Sequence, residues 1–213
     1  MKIVQRTNYP KELSSLNSLI LQRMNIGRRY WDASMQSVPN CTTKDVFRKY
    51  MNDLKSNYEK GWGVFLYGNN GVGKTYTSCA LLKEITKAGY STFCILSDEL
   101  KLAYIDGSRF DNDNSVVQRV ERVDFLLLED LGKEYSGKGS GFAELCFENL
   151  LRKRSRECRP TIVTTNLTPV TFKERYKQSA ASLAMECMIA VEMKGDDRRR
   201  FMGAEKAKEV SNA

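Results

Sequence analysis

The chain reads Gly68-Asn69-Asn70-Gly71-Val72-Gly73-Lys74-Thr75 directly after a short apolar segment, residues 64–67. This octapeptide fits the pattern G-x-x-x-x-G-K-[ST], in which glycines let successive backbone N–H groups point at phosphate oxygens. Residues 75–88 then place alanine, leucine and isoleucine at helical spacing. A strand, a glycine-rich turn and a helix in this order predict a phosphate-binding loop, to which the helix N-terminus adds partial positive charge.

The phosphate loop predicts a nucleoside triphosphate with Mg²⁺ as the ligand. In such loops the lysine reaches the β- and γ-phosphates and the hydroxyl of the next residue ligates Mg²⁺, which assigns these roles to Lys74 and Thr75. The residues expected to hold the nucleotide are Asn69, Asn70, Gly71, Val72, Gly73, Lys74, Thr75 and Tyr76.

Composition excludes several classes of protein. The chain of 213 residues has no histidine, which excludes His-based acid–base chemistry and most zinc enzymes. Its six cysteines are scattered without a C-x-x-C pair, so we expect reduced thiols and no disulfide framework. No apolar stretch near the start is long enough for a signal peptide or a membrane span, and a cytoplasmic protein is expected. The net charge of +8 favours a polyanionic partner.

Apolar segments alternate with helical patterns along the rest of the chain. Further strands are predicted at residues 91–96, 125–128, 161–165 and 188–193. Helices are predicted at residues 11–24 and from a capping Thr43 to Lys60. This alternation is typical of an α/β domain with a five-stranded parallel sheet and helices on both faces. The ligand of such a sheet lies at the carboxyl ends of its strands.

Polar residues follow two of the predicted strands. Residues 125–128 end in Glu129-Asp130, and a hydrophobic strand ending in two carboxylates matches the Walker B arrangement of ATPases. We assign Glu129 to the metal and Asp130 to the attacking water; the reverse assignment stays open because the usual order puts aspartate first. Asn166, after the strand at 161–165, is the candidate for contact with the γ-phosphate or the lytic water. Thr168 caps the helix that begins at Pro169.

Three blocks, at residues 68–75, 126–132 and 159–167, resemble the DnaC/DnaI/IstB group of AAA+ ATPases, which comprises bacterial and phage helicase loaders and transposition helper ATPases. Two further stretches, 26–34 and 195–199, agree with this resemblance. It implies a P-loop NTPase (AAA+) fold. The expected organisation is an N-terminal helical extension at 1–25, an AAA+ ATPase domain at 26–200 and a C-terminal tail at 201–213.

The resemblance also implies a function. A helicase loader of this group binds ATP, Mg²⁺ and single-stranded DNA and delivers a hexameric replicative helicase, on which it assembles as a homo-oligomer. The stretch 26–34 is then expected near the adenine, and Arg199, rather than Arg198, at the γ-phosphate. The insertion at 98–123 corresponds to the segment that lines the DNA channel. Its candidates for contact with the single strand are Lys101, Tyr104, Ser108 and Arg109.

One departure from the family pattern affects the expected activity. Family members supply an arginine finger to the neighbouring subunit, and the corresponding residues here, 181–186, contain no arginine. Because such a finger is worth about 10³–10⁵ in rate, we expect slow ATP hydrolysis unless Arg154 or Arg175 substitutes. Two alternatives stay open: an IstB-like transposition helper ATPase, and a non-hydrolysing adaptor switched by ATP. A nucleotide kinase is less consistent, because no arginine-rich lid follows in the kinase order.

Overall fold

The computed structural model describes residues 15–39, 42–107, 116–133, 141–176 and 178–198. The elements in chain order are α1 (Ser18–Arg23), a 3₁₀ turn (Arg28–Tyr30), α2 (Thr42–Asn52), α3 (Leu54–Glu59), β1 (Gly63–Tyr67), α4 (Lys74–Lys87), β2 (Thr92–Leu96), α5 (Ser97–Gly107), α6 (Val116–Arg122), β3 (Phe125–Leu131), α7 (Gly141–Arg156), β4 (Thr161–Thr165), α8 (Pro169–Arg175), α9 (Gln178–Cys187) and β5 (Met188–Glu192). Within these ranges no helix has the length and apolar character needed to cross a bilayer.

The five strands form one parallel sheet in the order β2-β3-β4-β1-β5, which confirms the predicted fold class. Strand β1 lies between β4 and β5, with Leu66 opposite Thr164 on one side and opposite Val191 on the other. Because all strands run the same way, the loops after β1, β3 and β4 leave the sheet at a single edge. The phosphate loop, the acidic pair and Asn166 are therefore brought together.

Successive side chains of the inner strands β1, β3 and β4 enter two different cores, one on each face of the sheet. Leu66 and Leu127 contribute to a core that also contains residues of α1, α2, α3 and α4. Phe65 and Leu128 contribute to a second core built with α5, α6, α7, α8 and α9. The side chains of β1, β3 and β4 are almost all buried, as expected for parallel strands covered by helices on both sides.

The N-terminal helices differ from the prediction. The helix expected from Thr43 to Lys60 is divided into α2 and α3, because Asp53 leaves the helical conformation (φ −101°, ψ 19°). The buried amide of Asn57 donates a 3.0 Å hydrogen bond to the carbonyl of Tyr50 near this break. Thr43 is not the cap; it lies inside α2, and its hydroxyl donates to the carbonyl of Glu192.

The predicted helix at 11–24 is shorter among the described residues. It begins after Asn17, whose side chain accepts a 3.0 Å hydrogen bond from the N–H of Ile20, and it ends at Arg23. Residues 11–14 lie outside the described part of the chain.

Candidate nucleotide-binding site

The phosphate loop connects β1 to α4 through glycines in the left-handed region of backbone space. Gly71 has φ 76° and Gly73 has φ 104°, values that only glycine adopts at little cost. A Cβ atom at Gly71 would lie 1.7 Å from the Asp197 carboxylate, so the loop is also packed too closely for a side chain there. Helix α4 follows Gly73 directly, without a side-chain cap. Its first N–H groups are therefore available to phosphate oxygens.

Lys74 joins the phosphate loop to the end of β4. Its ammonium donates hydrogen bonds of 2.8 Å to the carbonyls of Gly68 and Asn69 and one of 2.7 Å to Oδ1 of Asn166. The amide of Asn166 in turn donates to Oδ1 of Asn70 at 2.9 Å. Asn166 is thus in contact with two residues of the loop, at the place where the terminal phosphate of a nucleotide would lie.

The acidic pair occupies an irregularity in the sheet. The β3–β4 register shifts between Leu128 and Leu131, and Asp130 has a left-handed backbone with φ 56°. The N–H of Asp130 donates to the Thr164 hydroxyl at 3.1 Å. Because of this turn, the two carboxylates point in different directions.

Glu129 points toward α4 and lies behind the cavity wall. It is only 6% exposed, and the thiol of Cys79 lies 3.6 Å from Oε1 as a hydrogen-bond donor. Asp130 faces the cavity and forms a 2.9 Å ion pair with Lys133. Burial, and then the negative charge of Asp130, raise the pKa of Glu129 to about 7.

The oxygen donors here fit Mg²⁺, which prefers hydroxyl and carboxylate ligands and binds through one or two carboxylates together with substrate phosphates. Thr75 would supply the hydroxyl and Asp130, which faces the cavity, a carboxylate. Glu129, the predicted metal ligand, points toward α4 and would have to turn to reach the same ion. In the described ranges no group of three or more acidic, cysteine or histidine residues is placed so that it could hold a metal ion by itself.

A cavity of about 310 Å³ lies over the phosphate loop. Six of the eight residues predicted to hold the nucleotide line it: Asn70, Gly71, Gly73, Lys74, Thr75 and Tyr76. Asp130 and Asn166 complete the wall opposite the loop. Two predicted residues are not in the lining: Asn69 contributes its carbonyl to Lys74, and Val72 is buried in the first core.

The other end of the cavity is formed by Arg29, Tyr30 and Ser37. The first two belong to the stretch expected near the adenine. Ser37 was not predicted, and neither was Lys133, which also lines the cavity. The position of Lys133, three residues after Asp130, could have indicated a pairing role, whereas no local signal marks Ser37.

The C-terminal segment crosses the phosphate loop. The N–H of Arg198 donates to the carbonyl of Gly71 at 3.1 Å, and the Arg198 side chain lines the cavity near Gly73. Arg199, which was preferred over Arg198 for contact with the γ-phosphate, lies outside the described residues.

The predicted DNA contacts lie away from the cavity. Lys101 and Tyr104 are half-buried on α5, and Tyr104 packs against the second core. Its hydroxyl is hydrogen-bonded to Glu121 at 3.4 Å, and burial raises its pKa. This arrangement leaves the ring little surface on which a base could stack. Ser108 and Arg109 lie in a part of the chain that the structure does not describe.

The expectation that Arg154 could substitute for the arginine finger is wrong. Its side chain is fully buried, and its five N–H donors bond to oxygen atoms of the Thr161 hydroxyl and of four backbone carbonyls. It connects α7 to the segments before β3 and β4 and cannot reach a neighbouring subunit. Arg175, the other candidate, is 26% exposed and lies 3.7 Å from the Glu144 carboxylate.

The chain is similar in sequence to known proteins. The family described as IstB-like ATP binding protein matches residues 31–192. The replicative helicase loader DnaI of Bacillus subtilis (strain 168) is 24% identical over 171 residues, which cover 79% of this chain and 53% of that protein. An insertion sequence IS1162 putative ATP-binding protein of Pseudomonas fluorescens is 36% identical over 73 residues, covering 32% of this chain and 30% of the relative.

A solved structure shares the fold. The crystal structure of the DnaC helicase loader superimposes with a TM-score of 0.69 at 22% identity, over 79% of this chain and 100% of that chain. The two curated relatives are longer than the parts that match, since the chain spans 53% and 30% of their lengths.

Proposed function

The chain belongs to the IstB-like ATP binding proteins, and from this we propose that it is an ATPase that acts as a helicase loader in DNA replication. It binds ATP with Mg²⁺ and single-stranded DNA and delivers a hexameric replicative helicase. One observation carries the proposal: Lys74 and Asn166 meet over the phosphate loop, in the same cavity that Asp130 lines. The similarity to a replicative helicase loader supports the choice of partner.

The polar residues around the phosphate loop have separate roles in this proposal. Lys74 exchanges its carbonyl contacts for phosphate oxygens, and Asn166 contacts the γ-phosphate or the attacking water. Asp130, which faces the cavity, orients and polarises that water. Thr75 and the acidic pair would hold Mg²⁺, which neutralises charge on the phosphates when bound. Glu129 is the predicted carboxylate ligand, but it points toward α4 and would have to turn toward the cavity to reach the ion, whereas Asp130 already faces the cavity. Arg199 contacts the γ-phosphate by resemblance.

We expect hydrolysis to be slow in the isolated protein. The helix that corresponds to the finger region, α9, exposes Ser182, Met185 and Glu186 and has no arginine. The burial of Arg154 removes one substitute. This observation favours a second candidate function, an adaptor that ATP switches without turnover. The two acids and Asn166 oppose it.

A transposition helper ATPase is the third candidate. The match to the IstB-like family and the similarity to an insertion-sequence ATP-binding protein favour it. It uses the same nucleotide site, so the partner protein distinguishes it from a loader.

Turnover separates an ATPase from an adaptor. ATP hydrolysis is measured with single-stranded DNA and the replicative helicase of the same genome present, for the wild type and for Lys74→Ala. We expect turnover clearly above that of the variant. Equal rates, with ATP binding intact in the wild type, would favour the adaptor.

Partner binding separates a loader from a transposition helper. The tagged chain is mixed with ATP, single-stranded DNA and either the replicative helicase or the transposase of the same genome, and complex mass is measured. A loader forms an ATP-dependent complex with the helicase hexamer. A complex with the transposase alone would overturn the loader function.

A further inference from the structure

Lys83 connects the helix of the phosphate loop to the opposite end of the cavity. It lies on α4, nine positions after Lys74, and its ammonium donates hydrogen bonds to the carbonyls of Trp31 and, at 2.7 Å, Ala33. These carbonyls belong to the turn that follows Arg28–Tyr30. A single side chain of α4 thus holds two acceptors of a segment about fifty residues away in sequence.

The segment held by Lys83 adjoins Arg29 and Tyr30, which line the end of the cavity where the adenine is expected. Tyr30 lines the cavity, and the carbonyl of Tyr30 accepts a hydrogen bond from the N–H of Ala33 at 3.0 Å. Ala33 is itself only 2% exposed, so the turn is anchored in the first core. A second contact from α4 supports the same turn, because the Tyr76 hydroxyl accepts from the N–H of Ser34 at 3.3 Å.

The charge of Lys83 has a cost at this position. Burial lowers its pKa, and the positive charge of Lys87 lowers it further, while Asp32 and Glu84 raise it. An apolar side chain of equal length would avoid this desolvation but would leave two carbonyls without their donor. The ammonium of Lys83 therefore fixes the conformation of the turn through these two hydrogen bonds, which an apolar side chain could not do by packing alone.

We propose that Lys83 is a positioning residue for nucleotide recognition, which fixes the wall formed by Arg29 and Tyr30 at a set distance from the phosphate loop. This inference rests on the proposed binding of ATP in the cavity. Helix α4 holds the phosphates at its first turn and the base wall at its third. A bound nucleotide contacts the phosphate loop with its phosphates and this wall with its base. The base adds to the affinity only if the distance between the loop and the wall matches the length of the nucleotide.

The test compares ligands with and without a base. Affinities for ATP, GTP and inorganic tripolyphosphate are measured by calorimetry, with Mg²⁺, for the wild type, Lys83→Met, Lys83→Gln and Lys83→Arg. In Lys83→Met we expect ATP affinity to fall about tenfold, the ATP to GTP preference to shrink, and tripolyphosphate affinity to stay unchanged. Lys83→Arg, which keeps the charge and the donors, restores much of the ATP affinity, and Lys83→Gln lies between.

The matched control is Lys87→Met, one turn further along α4, where the ammonium is paired with Glu84 at 2.7 Å and holds no part of the wall. It should bind all three ligands as the wild type does. Unchanged ATP affinity in folded Lys83→Met or Lys83→Gln would overturn the proposal, as would an equal loss for ATP and tripolyphosphate. Failure of the wild type to bind ATP would instead remove the proposed function, and the role of Lys83 with it.

Discussion

Lys74 and Asn166 lie 92 positions apart in sequence and are joined by a 2.7 Å hydrogen bond. The ammonium is held by Asn166 and by the carbonyls of Gly68 and Asn69, so its charge lies over the phosphate-binding turn. A triphosphate that draws Lys74 toward its own oxygens must change this contact. Oδ1 of Asn166 would then be released to accept a hydrogen bond from a water beside the terminal phosphate, while the amide nitrogen, which donates to Asn70, is the group that can donate to a phosphate oxygen.

Asn166→Ala tests whether this residue acts in the chemical step. We expect ATP affinity within a few-fold of the wild type, because Lys74 and the loop remain. Turnover should fall about 10²-fold, the usual effect of removing one donor that acts in the transition state. Both kcat and the dissociation constant for ATP are measured for the wild type and for Asn166→Ala.

Thr168→Ala is the control for Asn166→Ala, because Thr168 lies two residues further on and caps α8 by accepting from the N–H of Thr171. Its loss should lower stability by about 1 kcal/mol and leave kcat unchanged. Equal losses of affinity and turnover in Asn166→Ala would contradict a role in the chemical step.

Glu129→Gln and Asp130→Asn distinguish the two acids. If Glu129 holds the metal, its amide variant needs more Mg²⁺ to reach half-maximal ATP binding. If Asp130 orients the water, its variant binds Mg·ATP normally and loses turnover. Titration of Mg²⁺ at fixed ATP, followed by single-turnover hydrolysis, separates the two effects. Exchanged phenotypes would assign the metal to Asp130, the residue that faces the cavity.

The location of the candidate site could be predicted because its residues sit in local patterns. The phosphate loop is contiguous, and the acidic pair and Asn166 each end an apolar strand. In a parallel sheet, strand ends at one edge meet, so a correct list of strands was enough to bring these residues together.

What could not be predicted depends on contacts distant in sequence. Nothing near Arg154 indicates that five oxygen acceptors surround its guanidinium, because four of them come from segments before β3 and β4. The turning of Glu129 away from the cavity follows from a register shift between β3 and β4, which periodicity does not reveal. The division of α2 from α3 at Asp53 is a different case, because it is local and no glycine or proline marks it.

Gly71→Ala tests the contact between the phosphate loop and the C-terminal segment. The new Cβ would lie 1.7 Å from the Asp197 carboxylate, and φ 76° adds backbone strain. Gly89→Ala is a matched control with φ 90° and no atom within 4 Å of the new Cβ. Both variants should lose about 1 kcal/mol of stability from strain.

Only Gly71→Ala should also weaken ATP binding, by about tenfold or more, because the displaced segment carries Arg198 into the cavity. Adding Asp197→Gly to Gly71→Ala makes room for the Cβ and should recover part of the affinity. If Gly89→Ala weakens ATP binding equally, the effect is general strain and the contact has no role.

Tyr58→Phe tests a pH dependence of stability. Burial, and then a 2.8 Å hydrogen bond to Asp124, raise the pKa of Tyr58 to about 12 from an ordinary 10.0. The folded protein therefore holds this proton more tightly than the unfolded chain does. The associated stability is present below pH 10 and is lost as the pH rises toward 12.

The free energy of unfolding of the wild type, measured by urea titration from pH 8 to pH 11, should therefore fall at the alkaline end. The fall should be shallower in Tyr58→Phe, which has no proton to lose. Some decline remains, because burial also raises the pKa of Tyr50 and Tyr104. Parallel curves for the two proteins would exclude Tyr58 as a contributor.

Arg154→Met tests the buried guanidinium as a structural connection. The methionine fills part of the space but removes every donor, which leaves the carbonyls of Val120, Val123 and Asp124 without that partner. Because each buried acceptor left unpaired costs about 1–3 kcal/mol, we expect a loss of at least about 3 kcal/mol in urea unfolding. Arg152→Met, on the exposed side of the same helix, removes only a surface ion pair with Glu148 and should cost under about 1 kcal/mol. Similar unfolding midpoints for the two variants would mean that water replaces the guanidinium and that Arg154 does not hold α7 to the sheet.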